Sequence, residues 1–193
     1  MSEQTEEGGE RHPMTLRLNA RLEPMDRFES FEDPIRERMA AAGLGDVTGG
    51  GTPLTPGEEI PFVELELALA DARPETLDRL VDLLEAVGTP KGSKLIDETT
   101  HAEREVGRAE GIGVYLNATD LPDEVYESTD ADTVIEMATE ALGDAGRYVG
   151  FRELPTEVAL YFYGDSAEEL ERLIAPLRER YPLCQKARIT RIA

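Results

Sequence analysis

Thr15-Leu16-Arg17-Leu18-Asn19-Ala20-Arg21-Leu22 decides the fold. Leu16, Leu18, Ala20 and Leu22 fall on one face, and Arg17, Asn19 and Arg21 on the other. That alternation is the mark of a half-buried β-strand. Pro24 stops it. Working outward, spacings of three and four at Phe28, Phe31, Ile35 and Met39 predict an amphipathic helix, closed by Gly43 and Gly45. The stretch from Phe62 to Leu69 alternates again, with Val63, Leu65, Leu67 and Leu69 inward and Glu64 and Glu66 outward. A second helix is expected from about Pro74 to Val87, lined by Leu77, Leu80, Leu84 and Val87 and ended by Gly88. Lys91 to Ile96 then reads as a closing edge strand.

The same order returns further along. Ile112, Val114, Leu116 and Ala118 share one side of a strand, and Leu18-Asn19-Ala20 recurs as Leu116-Asn117-Ala118. Asp130 is placed to cap a helix through Val134, Ile135, Ala138 and Leu142. Strands near Tyr148–Phe151 and at Val158–Tyr163 follow. Ser166 and Glu169 have the spacing of a capping box before a helix with Leu170, Leu173, Ile174 and Leu177 on its core side. A last strand is expected at Ala187–Ile192. Asp71 and Asp165 stand at matching points, each directly after a strong strand. Internal repetition on this scale outweighs any one local signal.

The order strand–helix–strand–strand–helix–strand, found twice, resembles the ferredoxin-like fold. The implied fold class is α+β: two tandem ferredoxin-like βαββαβ units with antiparallel sheets. The expected boundaries are a disordered acidic tail at 1–13, a first unit at 14–96, a charged connector at 97–110 and a second unit at 111–193. The resemblance is one of element order, to tandem ferredoxin-like proteins of uncharacterised function, and many unrelated activities use this fold. Gly45–Thr52 and Tyr181–Gln185 also resemble segments of uncharacterised bacterial proteins, a likeness that brings no activity with it.

Composition narrows the function classes. With 41 acidic against 20 basic residues the 193-residue chain has a formal charge of −21, so nucleic acid is disfavoured as a partner. The acidity reads either as a solvated surface that keeps the protein soluble in a salty medium or as a face for a basic partner. Lysine occurs only at 91, 94 and 186, the other basic residues being arginine, a pattern that fits a GC-rich or a salt-adapted genome. No apolar run approaches the roughly 20 residues of a membrane span, and the start of the chain lacks the features of a signal peptide. Cys184 is the single cysteine and has no partner for an internal disulfide. The expectation is a cytoplasmic protein with no membrane partner.

The candidate ligand- or partner-contacting residues are Gly49, Gly50, Gly51, Thr52, Tyr115, Tyr161 and Tyr163. The glycine run is followed by prolines and another strand, which fits neither a phosphate loop nor a dinucleotide fingerprint. It reads as a bulged, flexible hairpin or as a loop contacting a ligand. The tyrosines are expected to project together from the open sheet face of the second unit. An aromatic patch of that kind needs a cover: the first unit's sheet, a second copy of the chain, or a ligand or partner. RNA stacking is rejected, because the basic and glycine-flanked neighbours of such a site are missing. Arg17 and Arg21 are expected to form cross-strand ion pairs with Glu64 and Glu66. His12 in the tail and His101 in the connector lack companions at ligand spacing, so no metal is expected and no cofactor is implied. The acidic run from Asp120 to Asp132 does not follow an EF-hand and reads as a solvated loop with a helix cap. Cys184 reads as structural.

The leading functional reading is a non-enzymatic binding or regulatory protein. It would hold a protein partner or small molecule on its sheet faces or in the inter-unit cleft, an acidic inhibitor or immunity protein being one version. Whether there is catalysis stays open. The enzyme alternative sets Glu64 or Glu66 with Tyr115 or Tyr161 as an acid–base pair in the cleft. A third reading is a homo-oligomer that buries its open sheet faces.

Overall fold

The computed structural model describes residues 11–57 and 59–193. The first unit runs β1 (His12–Leu18), α1 (Pro24–Arg27), a π-helical turn (Phe28–Glu32), α2 (Asp33–Ala42), β2 (Gly45–Gly51), β3 (Val63–Leu69), α3 (Pro74–Ala86) and β4 (Ser93–Asp97), followed by β5 (Glu103–Val106). The second runs β6 (Glu110–Asn117), α4 (Asp123–Ser128), α5 (Ala131–Leu142), β7 (Gly146–Glu153), β8 (Glu157–Gly164), α6 (Ala167–Ile174), α7 (Leu177–Arg180) and β9 (Arg188–Arg191). Their sheets have the orders β2-β3-β1-β4-β5 and β7-β8-β6-β9, antiparallel throughout. Apart from β5 the two orders are the same. The fold is α+β, two tandem ferredoxin-like units.

The registers superimpose residue on residue. Leu16 pairs with Leu65 in the first sheet and Val114 with Leu160 in the second. Counting from these pairs, Arg17 corresponds to Tyr115, Glu66 to Tyr161 and Ala68 to Tyr163. Each unit also carries a β-bulge at the same place, after Val47 in β2 and after Tyr148 in β7. The duplication therefore extends to an irregularity that ordinary pairing does not require.

Local chemistry fixes the helix ends. Gly43 ends α2 in the left-handed conformation, at φ 64°, where a glycine carries no Cβ penalty. The Asp130 carboxylate accepts from the Thr133 N–H and Ser166 Oγ from the Glu169 N–H. The second arrangement is half a capping box, because Glu169 turns to Arg172 instead of reaching back.

Three expectations change. The closing strand β4 is not an edge: β5, within the stretch expected as a charged connector, pairs outside it. The tail at 1–13 lies mostly outside the described residues, but His12 and Pro13 belong to β1, and His12 Nε2 lies 2.8 Å from Asp97 on β4. The acidic stretch before α5 holds the short helix α4, pinned where Tyr126 meets the Leu121 N–H and Asn117.

The buried residues form two clusters. One lies between the second sheet and its helices α5 and α6. The other fills the first unit and takes in Tyr115, Val149, Ala159, Tyr161 and Tyr163 from the second. The second sheet is thus covered on both faces. The matching face of the first sheet, with Arg17, Glu64 and Glu66, is left to water.

Candidate functional site

The aromatic face forms as the alternation of β6 and β8 predicts. Tyr115, Tyr161 and Tyr163 project from the same side and are all buried. Tyr163 lies over Gly111, its partner across the ladder, where a Cβ would come within 2.5 Å of the ring. Glycine at 111 is what lets the ring lie flat on the strand.

The cover is the first unit, but not its sheet. The chain leaving β1 crosses the aromatic face, and Tyr163 Oη donates to the Asn19 carbonyl at 3.1 Å. The α1–π segment seals the outer edge of β7. Asp26 Oδ2 accepts from the Phe151 N–H at 3.2 Å and Ser30 Oγ donates to the Val149 carbonyl at 2.7 Å. Satisfying an edge strand in this way removes a template for pairing with another chain. Arg147 stacks its guanidinium over Phe31, 5.0 Å from the ring centre.

Beside this contact the units leave a cleft of about 540 Å3. Its polar wall holds Arg21, Arg152 and Arg188, set against one acid, Glu59, with Thr190 and the rings of Tyr115 and Tyr161; Ile60, Pro61 and Leu154 supply apolar surface. Arg188 is held by two hydrogen bonds to Glu157, at 2.8 and 2.7 Å, and stacks 3.5 Å above Tyr115. Arg152 lies 3.5 Å from Glu23. Arg21 has no ion-pair partner among the described residues. Burial, with Tyr115 adding, pushes the Tyr161 hydroxyl up to about 12, although Arg21 and Arg152 pull it back. Tyr161 is therefore a neutral donor throughout the physiological range. Cationic groups and a neutral phenol facing one apolar-floored cleft suit a small organic anion.

Arg21 was expected on the outer face of the first sheet with Arg17, facing Glu64 and Glu66. The structure separates them. β1 ends at Leu18, and the Asn19 N–H turns to Ser93 Oγ at 3.0 Å. Arg17 keeps the expected partner, its Nε donating to Glu64 at 2.9 Å. Glu64 and Glu66 stand on the water-facing sheet, and neither lines the cleft with the tyrosines. The acid–base pair of Glu64 or Glu66 with Tyr115 or Tyr161 is therefore not assembled.

The glycine run is extended strand, not a loop: Gly49, Gly50 and Gly51 complete β2 along β3. A Cβ on Gly50 would lie 3.1 Å from Arg27 Nε and 3.0 Å from the Glu64 carbonyl. Arg27 crosses the strand there, donating to Thr52 Oγ1 at 2.9 Å and meeting the buried Glu32 at 3.4 Å. Arg36 donates to the other oxygen of Glu32 at 2.7 Å. The run and Thr52 thus seat a buried charge network on the first unit, apart from the three tyrosines.

Cys184 is buried, and burial raises its thiol to about 11, which keeps it protonated and unreactive. Among the described residues no group of three or more His, Cys, Asp and Glu is arranged to hold a metal ion. No described helix is long and apolar enough to cross a membrane.

No protein-family model matches the chain, and no curated protein matches it. Solved structures do. The regulatory subunit of aspartate kinase from Thermus thermophilus aligns at 10% identity over 85% of this chain and 91% of its own, with a TM-score of 0.28. The first two RRM domains of a yeast poly(U)-binding protein align at 10% identity over 93% and 99%, with a TM-score of 0.25. An anthrone oxidase-like protein aligns at 12% identity over 94% and 90%, also at 0.25. At such scores these likenesses carry no argument about what the chain binds or does.

Proposed function

We propose that the protein is a non-enzymatic binding module that holds a small organic anion, a carboxylate or phosphate ester, in the cleft between units 14–96 and 111–193. Arg21 carries the proposal. In a chain with twice as many acids as bases, an arginine that lines a cleft and has no ion-pair partner among the described residues is an exception. Its charge is left for a ligand. The cleft's volume of about 540 Å3 falls within the usual range of about 300–1,000 Å3 for ligand sites. Tyr115 and Tyr161 add ring faces and hydroxyl groups, and Arg152 and Arg188 a positive field. Both units contribute to the wall, so an occupant would bear on how they sit together, which is the basis for a regulatory role.

Titration calorimetry with citrate, inorganic phosphate and adenosine monophosphate tests it. We expect at least one of these to bind, with affinity falling about tenfold or more in Arg21→Ala, the cost of losing one charge-assisted contact. Arg21→Ala should fold normally, because Arg21 makes no hydrogen bond or ion pair with another described residue. Absence of binding by all three probes, or equal binding by the variant, would overturn the proposal.

A further inference from the structure

Away from the cleft, a groove of about 590 Å3 runs between α5 and the outer strand β7. Ile135, Tyr148 and Phe151 supply apolar surface, and Asp132, Glu136 and Glu153 the charge; no lysine or arginine lines it. Phe151 is 43% exposed, unusual for a side chain of that size.

The duplication shows what belongs in such a place. Phe151 lies opposite Leu160 on β8, as Gly50 lies opposite Leu65 on β3. Counting back from the buried Ala138 and Met39, Ile135 corresponds to Arg36. In the first unit the helical run continues about two turns further toward its start, through the π turn into α1, and Arg27 comes to lie over Gly50. In the second unit α5 begins at Ala131, and α4 packs instead toward the Pro182–Cys184 turn. The place filled by a basic helical turn in one unit is open, apolar and acid-rimmed in the other.

We propose that this groove docks a basic amphipathic helix of another protein. Its apolar face covers Phe151, Ile135 and Tyr148, and its lysines or arginines reach Asp132, Glu136 and Glu153, as Arg27 and Arg36 reach Glu32 in the first unit. Charge complementarity selects this occupant over a second copy of the chain, since two molecules of charge −21 repel one another. Helix-in-groove recognition uses this combination of apolar anchors and a charged rim.

The test uses the full chain and a labelled Leu/Lys peptide of about 15 residues with its apolar side chains on one helical face, against a scrambled peptide of the same composition. Fluorescence anisotropy at about 0.15 M salt should show the amphipathic peptide binding about tenfold more tightly than the scrambled one. Phe151→Ala and Ile135→Arg should each weaken it about tenfold, with far-UV circular dichroism unchanged. Glu136→Gln, on the exposed face of α5, should weaken it about threefold and decides the matter should either packing variant fail to fold. Arg21→Ala should bind the peptide as the parent does, so failure here is separate from failure at the cleft. Equal binding of both peptides, indifference to all three groove variants, or self-association of the chain that Phe151→Ala abolishes would overturn the proposal.

Discussion

The Tyr163 hydroxyl donates to the backbone carbonyl of Asn19, 3.1 Å away, and so ties the last turnable atom of one sheet face to the point where the other unit's first strand ends. Asn19 already spends its N–H on Ser93 and its side-chain amide on the Lys91 carbonyl. Its backbone carbonyl is the group that remains, and leaving a partly buried carbonyl without a donor carries a cost. Tyr163 is itself buried, so its hydroxyl needs an acceptor as much as Asn19 needs a donor.

Tyr163→Phe keeps the ring over Gly111 and removes only this bond. We expect a loss of about 1 kcal/mol in urea unfolding, the usual net worth of one hydrogen bond, with some addition for the unsatisfied carbonyl. Tyr163→Ala also empties the space between the units and should cost about 3–5 kcal/mol. If the two variants lose equal stability, ring packing is not what joins the units.

The same burial sets an alkaline limit. It raises the hydroxyl of Tyr161 to about 12 and that of Tyr163 further, while burial against the second unit's own core raises that of Tyr148 to about 12. In the unfolded chain they ionise near the ordinary value of about 10. A group that holds its proton more tightly when folded contributes stability that is fully present below the unfolded value and is lost as pH rises through the folded one. Stability should therefore hold to about pH 10 and fall steeply toward pH 12. Phenolate absorbance should rise together with loss of far-UV signal for these residues. Complete tyrosine ionisation with the fold intact would contradict the account.

The alternation at Thr15–Leu22 and at Phe62–Leu69, together with the Leu-Asn-Ala repeat, made the fold legible, because strand and helix periods depend on local spacing alone. Tyr115, Tyr161 and Tyr163 were legible for the same reason: period two places them on one face. Their cover was not. The sequence pattern does not say that β1 ends at Leu18 instead of running through Leu22, and the difference moves Arg21 from an outer face into a cleft. The available signal was Asn19, a residue that favours turns, followed by Pro24. The glycine run was legible only in its bulge between β2 and β3. Glycine signals either freedom or close approach, and only the position of Arg27, 23 residues earlier in the sequence, tells which.

Glu32 joins Arg27 and Arg36 while almost wholly buried. Glu32→Gln leaves the Arg27 guanidinium, only 11% exposed, without its counter-charge. Breaking a buried pair from one side costs about 3–5 kcal/mol, and we expect a loss at the lower end because Arg36 is partly solvated. Arg36→Gln, which removes the more exposed partner, should cost about 1 kcal/mol or less. Thermal unfolding of the two variants side by side checks the ranking; the reverse order would place the essential contact at Arg36.

Neighbouring glycines separate a structural run from a flexible one. Gly50 faces Arg27, Leu65 and the Glu64 carbonyl at 3.0–3.1 Å from where a Cβ would stand, whereas Gly51 has nothing within 4 Å. Neither has a backbone conformation closed to other residues, so packing alone distinguishes them. Gly50→Ala must displace the Glu64 carbonyl and Arg27, which Thr52 and Glu32 hold in place, by a few tenths of an ångström, and should cost about 1–3 kcal/mol, as overpacking does. Gly51→Ala meets no obstruction and also narrows the unfolded ensemble, so it should be neutral or stabilise by up to about 1 kcal/mol. Were the run a mobile ligand loop, the two substitutions would act alike on stability, and urea unfolding of both variants tells the cases apart.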